Sequence, residues 1–522
     1  MKLTTSNIIL SVVILITTVL GVLILIYPPS FYPDPSHGFQ VRRSMQMGGP
    51  FNTFISPDQD DISKNTSLYL TWWSPGQYLL PYFFQLLLSM NTGHATALTV
   101  TIFQLSGVLG FYCFFKKIGF TPIVSALSIA FIVCQQAFVL PFVFYNGGEV
   151  LLFGFEGWFL YGCVAIEKPG LKMALFVLLS GWLGFLFKSS FVWIYVAGLM
   201  CLWLRLSAIN NKLNVGKLIK NAVWVGITAS LSLAAIYVFF LSKGANPAAA
   251  SAGLNIDWRN FTFPIGSPML SGFSVDDLAH GLLFHPVGSL LSPGYAIMVL
   301  AISAFVSLGL VAAIMRYVPK NNYRLIIIVF YTISVLFFSL AFMRQSSISY
   351  ESRHFRAIGL LIVPGVVYLF TQFKPIFRIA FVVISLAIAV TNYAFLIKGY
   401  RFNKNISARG NSGMAQEYID QPSLNYIMQL DQQNRNAIFA FTSSDLGLEI
   451  IHNRVITLDV PPLAGTINYD DYGYDGHAGP LYILLPASYN QTTLNMFMKF
   501  FPDYHNFTIK KLSPKYLLCS AQ

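Results

Sequence analysis

Eleven runs of apolar residues interrupt the chain, and no soluble fold can bury that many. They lie at 7–27, 95–115, 122–144, 149–166, 171–187, 189–206, 219–242, 294–315, 323–343, 355–371 and 375–397. A bilayer core about 30 Å thick is crossed by about 20 helical residues, and most of these runs are close to that length. The rest of the chain agrees: 10% of its 522 residues are charged, against about 25% in an ordinary soluble domain, and mean hydropathy is +0.60. One further run, 77–90, is too short to span and reads as a helix lying on the membrane surface. The expected fold is therefore mainly α: a polytopic membrane protein of about 11 transmembrane helices, with outer juxtamembrane helices and a small C-terminal α/β domain.

The first run ends in "IYPPSF", a poor small-residue cleavage site, so it reads as a retained span. Starting from a cytoplasmic N-terminus, the short inner loops collect Lys and Arg from Lys116 to Arg378, opposed only by Glu167. That bias follows the positive-inside rule. It also accounts for the net charge of +12 by inner loops and lipid headgroups, without nucleic acid. Residues 1–397 then form a transmembrane domain with outer loops at 28–94 and 243–293, and 398–522 form an extracytoplasmic domain. In that tail "NAIFAFTSS", "RVITLD" and "GPLYILLP" read as strands, "DLGLEIIH" and "TTLNMFMKFF" as short helices, and "FTIKKLSPKYLLCSA" as closing strands. No glycine-rich phosphate loop is present. The five cysteines have no metal-site or disulfide spacing.

The loop after the first span opens with "FYPDPSHGFQVRRSMQMGGPFN", a polar, turn-rich stretch with Asp34, His37, Arg42 and Arg43 beside the membrane. It continues to "TWWSPGQYLLP", whose tryptophans suit headgroup depth. Span, acid, Pro-containing segment and surface helix together resemble the GT-C superfamily of membrane glycosyltransferases, including the protein O-mannosyltransferases and aminoarabinose transferases. Asp34 in "YPDPSHG" matches the acidic position after the first span, and "WWSPGQYLLP" resembles the Pro-containing segment, without the usual His-Pro-Pro. Glu149, with Asn146 beside it in "FVFYNGGEVLLFGF", fits a second acidic position at the outer start of a span.

The resemblance implies transfer of a sugar from a polyprenyl-phosphate-linked donor to a lipid, glycan or protein acceptor on the extracytoplasmic face of the plasma (inner) membrane. Such chemistry needs a base for the acceptor and cations for the departing phosphate. Asp34 is the expected base, Glu149 a helper or substrate clamp, and His37 a hydrogen-bonding partner of the sugar. Arg344, Arg353, His354 and Arg356 gather in "MRQSSISYESRHFRAIG", on the side where positive charge is scarce, and suit a phosphate. Lys188 in "LFKSSF" is a further phosphate candidate, and Arg42 and Arg43 are expected at the same site. A divalent metal is conceivable through Asp58, Asp60 and Asp61, although a solvated turn explains them as well.

Two other readings fit a chain of this class. A flippase for a lipid-linked sugar would show repeated halves and broken mid-membrane helices, whereas here no repeat is visible and polar residues collect at the outer edge. A non-catalytic envelope assembly protein would need only the outer domain. The topology has a direct test. A cysteine placed in the tail beyond residue 398, on a background without the five native cysteines, should react with an impermeant maleimide in intact cells or spheroplasts; protection until lysis would overturn it.

Overall fold

The computed structural model describes residues 4–31, 33–209, 212–244, 246, 250–283, 292, 294–459 and 468–522. Residues 284–291 and 293 of the expected second outer loop therefore lie outside the described residues.

Among the described residues, eight helices are long and apolar enough to cross a membrane, including Thr5–Ile26, Thr92–Lys117, Gly148–Ala165, Asn321–Met343 and Ser352–Gln372. The protein is a multi-pass membrane protein. The count is lower than the number of apolar runs for two physical reasons. The run at 122–144 breaks into Pro122–Val133 and Gln136–Phe142, bent by 70°. The break falls where Gln135 adopts an extended backbone and caps the second piece. The runs at 171–187 and 189–206 form Leu171–Phe187 and Phe191–Leu206, of only 17 and 16 residues. The 31-residue helix Pro375–Asn405 exposes Ile376, Phe377, Val382 and Val390, as an element facing lipid does.

Two compact units emerge. The first comprises Met1–Leu20, Val100–Pro141 and Gly148–Leu396. Its helices approach closely where small residues meet, as is usual between membrane helices. The Ser271 hydroxyl, for example, donates to the Phe355 carbonyl at 3.1 Å, and a Cβ on Gly359 would lie 2.8 Å from the Ser271 backbone.

The second unit comprises Gly21–Thr99, Phe142–Gly147 and Ile397–Gln522. Here one expectation is corrected. The stretch after Phe31 that reads as turn-rich is the helix Pro33–Gln46. Pro33 fits the first helical position, where no N–H bond is lost. Asp34 in the first turn and Arg43 in the last complement the helix dipole. The hairpin Thr53–Pro57/Asn65–Tyr69 follows, and then the helix Gly76–Leu88. That helix buries Gly76, Gln77, Tyr78 and Pro81 and leaves Phe83, Leu86 and Leu87 exposed, an apolar face suited to a membrane surface.

The tail builds a five-stranded sheet in the order Thr508–Lys511, Tyr516–Ala521, Leu481–Pro486, Ile438–Phe441, Arg454–Thr457. The first three strands are antiparallel and the last three parallel. Alternation decides the faces: Ile438 and Ala440 pack with Phe497 of the helix Gln491–Lys499, while Phe439 and Phe441 pack with Leu424 and Ile427 of the helix Gln421–Gln433. Burial on both faces explains the unbroken apolar look of "AIFAF". Ile62, beyond the first hairpin strand, joins this core, and its N–H donates to the Asp475 carbonyl at 2.8 Å.

Beside the sheet, Glu449 is fully buried and accepts from the Ser412 N–H at 3.1 Å and Gln416 Nε2 at 2.8 Å. Burial, helped by the charge of Glu449, pushes the Asp445 carboxyl up to about 6. A carboxyl raised on folding stabilises most below its ordinary value, and that stability is lost as pH rises through about 6. Asp445→Asn should therefore raise the unfolding free energy of the purified protein at pH 7.5, by on the order of 2–3 kcal/mol, and change it little at about pH 3.5. Equal shifts at both pH values would show that Asp445 titrates normally.

Candidate functional site

In the first unit, the chain folds so that charges meet at three helix junctions. Glu149 occupies the first turn of Gly148–Ala165, where the helix dipole favours a carboxylate. Lys188 caps the end of Leu171–Phe187 in an extended conformation. Gly148 makes the approach possible, since a Cβ there would lie 2.9 Å from the Phe187 carbonyl oxygen. Lys188 Nζ donates to Glu149 Oε1, and the two side chains are only 15% and 17% exposed. The third junction is the 3₁₀ turn Ser352–Phe355, leading into the helix Arg356–Gln372. Arg353 reaches the same Glu149 oxygen at 3.9 Å and also pairs with Glu351.

Arg356 lies within electrostatic range of Glu149 and Lys188, yet its half-buried guanidinium makes no hydrogen bond or ion pair among the described residues, and its Nε is buried without a partner. The turn is held from a neighbouring helix, Val275–Leu283: Asp276 Oδ2 accepts the Ser352 N–H at 3.1 Å, and Asp277 faces Arg356 electrostatically. Burial pushes both carboxyls upward. His354 packs near Phe338, with ring centroids 5.9 Å apart. Arg344 ends the helix Asn321–Met343, is exposed and does not join the cluster.

In the second unit, Asp34 is half-buried in the first turn of Pro33–Gln46. One turn on, His37 stacks on Trp73, with centroids 4.7 Å apart and planes 14° from parallel. Burial lowers the His37 pKa, against the pull of Asp34 and Asp459, so the imidazole is neutral at pH 7. Asn146, 8% exposed, follows the short strand Phe144–Tyr145. Arg42 and Arg43 are committed to protein acceptors. Arg42 donates to Gln85 and to Thr92 Oγ1 at 3.1 Å, near the rings of Phe39 and Tyr82. Arg43 donates to the carbonyls of Ile450, at 2.7 Å, and Asn453. Burial lowers both guanidiniums to about 10.

Lys188, Arg353, Arg356 and Glu149 thus come together in one unit, and Asp34 and His37 form a second group in the other. The sequence reading missed Asp276 and Asp277 as partners of the arginine turn, and Gln77 near His37. Gln77 carried a signal, being a polar residue in the first turn of a mostly apolar helix. Asp58, Asp60 and Asp61 form a local turn in which Asp61 pairs with Lys64 at 2.8 Å. Among the described residues no group of three or more His, Cys, Asp or Glu side chains is placed to hold a metal.

The chain has the fold of the GT-C membrane glycosyltransferases. Among solved structures, the chain is similar to ArnT from Cupriavidus metallidurans bound to undecaprenyl phosphate, at TM-score 0.50 and 12% identity, over 98% of this chain and 97% of that one. It is also similar to the arabinofuranosyltransferase AftD from Mycobacteria, at TM-score 0.52 and 11% identity, over 98% of this chain but 39% of that one. At such identities the likeness is one of fold. No protein-family model and no curated protein matches the sequence.

The Lys188–Glu149 pair is open to a double-mutant cycle. Lys188→Met alone should destabilise the purified protein by about 3–5 kcal/mol, since it strips a buried carboxylate of its nearest cation. Adding Glu149→Gln should recover most of the loss. Additive effects would show that the two side chains are not coupled.

Proposed function

We propose that this protein is an integral-membrane glycosyltransferase that moves a sugar from a polyprenyl-phosphate-linked donor to a lipid, glycan or protein acceptor on the extracytoplasmic face. The observation that carries the reading is Arg356: a half-buried guanidinium beside Lys188 and Arg353, with no hydrogen bond or ion pair among the described residues. Forked guanidiniums match phosphate oxygens, and a polar group hidden from water without a partner is costly unless a ligand supplies one. That ArnT, which shares the fold, is solved with undecaprenyl phosphate favours a lipid-borne phosphate over a free one.

In the proposed reaction an acceptor hydroxyl attacks the anomeric carbon while its proton passes to Asp34. The bond from that carbon to the phosphate oxygen breaks, and the electron pair leaves with the polyprenyl phosphate. Lys188, Arg353 and Arg356 stabilise the charge gained by the departing phosphate. Glu149 is a positioning residue: its carboxylate holds Lys188 and Arg353 in place. Arg42 and Arg43, spent on protein acceptors, are framework in this reading, and so is Arg344 at the surface.

The reading predicts a division of effects. Arg356→Ala should weaken donor binding by about 1.5–3 kcal/mol, the range for hydrogen bonds to charged groups. Asp34→Asn should lower transfer by about 10²–10⁴-fold with donor binding kept. Purified protein in nanodiscs, supplied with labelled polyprenyl-phosphate sugars, gives both numbers. Unchanged turnover in Asp34→Asn would remove Asp34 as the base. Failure of the wild type to bind any polyprenyl phosphate would overturn the reading as a whole.

A further inference from the structure

Among the buried side-chain atoms of the second unit that have no partner among the described residues, three lie near the Asp34 helix: Ser74 Oγ, Gln77 Nε2 and Asn146 Oδ1. They are 5%, 4% and 8% exposed. Such atoms are rare in folded proteins, and each calls for a missing partner.

Their setting is specific. Gln77 lies one turn after Ser74, at the start of Gly76–Leu88. Its amide fits between two glycines. A Cβ on Gly38 would lie 2.9 Å from Gln77 Nε2, and one on Gly147 would lie 2.5 Å from Gln77 Oε1 and 3.0 Å from Pro35. Gly147 also has φ +61°, a conformation that favours glycine. The position is fixed once more by Tyr145, whose hydroxyl donates to the Gln77 carbonyl at 2.6 Å. Asn146 joins Tyr145 to Gly147. On the other side, Gly38 follows His37, and Ser74 follows the Trp73 on which His37 stacks. The three orphaned groups therefore border the first turns of the helix that carries Asp34.

Their chemistry is complementary. Gln77 offers a donor without an acceptor, Asn146 an acceptor without a donor, and Ser74 a hydroxyl that can serve either way. None carries charge, and the neighbouring imidazole is neutral. A hydroxyl suits each amide, since it can donate to Asn146 Oδ1 and can accept from Gln77 Nε2. A ligand with several hydroxyls engages Ser74 as well. We propose that Ser74, Gln77 and Asn146 form a subsite that reads hydroxyls of a neutral sugar on the lipid-linked donor. This rests on the reading of the protein as a transferase of lipid-linked sugars, and it adds the class of sugar and the residues that select it. A site built to hydrogen-bond a hydroxyl discriminates strongly against a ligand without one, because its own buried groups are then left unpaired.

The test compares two lipids on the full-length protein in nanodiscs, a polyprenyl-phosphate hexose and the bare polyprenyl phosphate. Wild type should bind the sugar-bearing lipid more tightly, by about tenfold or more. Gln77→Met with Asn146→Leu, which keeps side-chain size, should erase that preference while leaving affinity for the bare lipid in place. A preference that survives the double substitution would mean that the orphaned atoms hold water only, and would overturn the proposal. Equal binding of both lipids by wild type would overturn it too, while leaving the parent reading intact; binding of neither would overturn both. Monodeoxy hexose lipids give a second measurement that needs no variant: at least one should lose the wild-type preference, and retention by every analogue would refute the subsite.

Discussion

A carboxylate in the first turn of an apolar helix must find cations, and the charge arrangement of the first unit follows from how Glu149 finds them. Its oxygen takes Lys188 from one helix junction and lies 3.9 Å from Arg353 of another. Neither cation is placed by its own segment alone. Lys188 depends on the break between two short helices and on Gly148, whose missing side chain lets the Glu149 helix approach it. Arg353 depends on a 3₁₀ turn anchored by Asp276. Three junctions are thereby tied to one oxygen, and a third cation, Arg356, is brought alongside without a hydrogen bond or ion pair of its own. A cluster meant only to neutralise Glu149 would not need it. That surplus is what turns an ion pair into a candidate anion site.

The second unit uses guanidiniums differently. Arg43 spans from the helix Pro33–Gln46 to two carbonyls after the 3₁₀ turn Ser444–Glu449, and Gln40 on the same helix donates to the Ser444 carbonyl. A carbonyl at the end of an element accepts strongly from a charged donor. The helix bearing Asp34 and His37 is therefore clamped to the folded tail, and its first turn is presented by a rigid element. This is why two arginines that look alike in sequence to those of the 3₁₀ turn do a different job.

What the sequence disclosed follows the range over which each signal acts. Spans and tail strands were legible because they are written in local periodicity: "AIFAF" and "LYILL" became the central strands, and the apolar runs became helices. The helix Pro33–Gln46 was hidden by its polar composition, although Pro33 and Asp34 were start signals of the ordinary kind. The break at Gln135 was hidden inside a continuous apolar run, where composition says nothing of direction. Among the candidate residues, the "SRHFR" turn and Glu149 could be singled out because charge is scarce near the membrane. Their pairing could not, since 39 residues separate Glu149 from Lys188 and more than 200 separate it from Arg353. Gln77 and Asn146 were the least legible. A neutral amide stands out only when its partners can be counted, and that count requires coordinates.

The two units differ in the charge of their polar clusters. In the first, cations outnumber what Glu149 alone can engage, and the acids that balance them, Asp276 and Asp277, are themselves shifted upward by burial. What this place keeps for an anion is the Arg356 guanidinium, which has no hydrogen bond among the described residues. In the second, Arg42 and Arg43 donate to protein acceptors, although Arg42 Nε stays unpaired; burial lowers the His37 imidazole, and the unpaired atoms of Ser74, Gln77 and Asn146 are uncharged. Such a place gains little from a charged ligand and most from one with hydroxyls. A donor made of a phosphate joined to a neutral sugar carries both kinds of group.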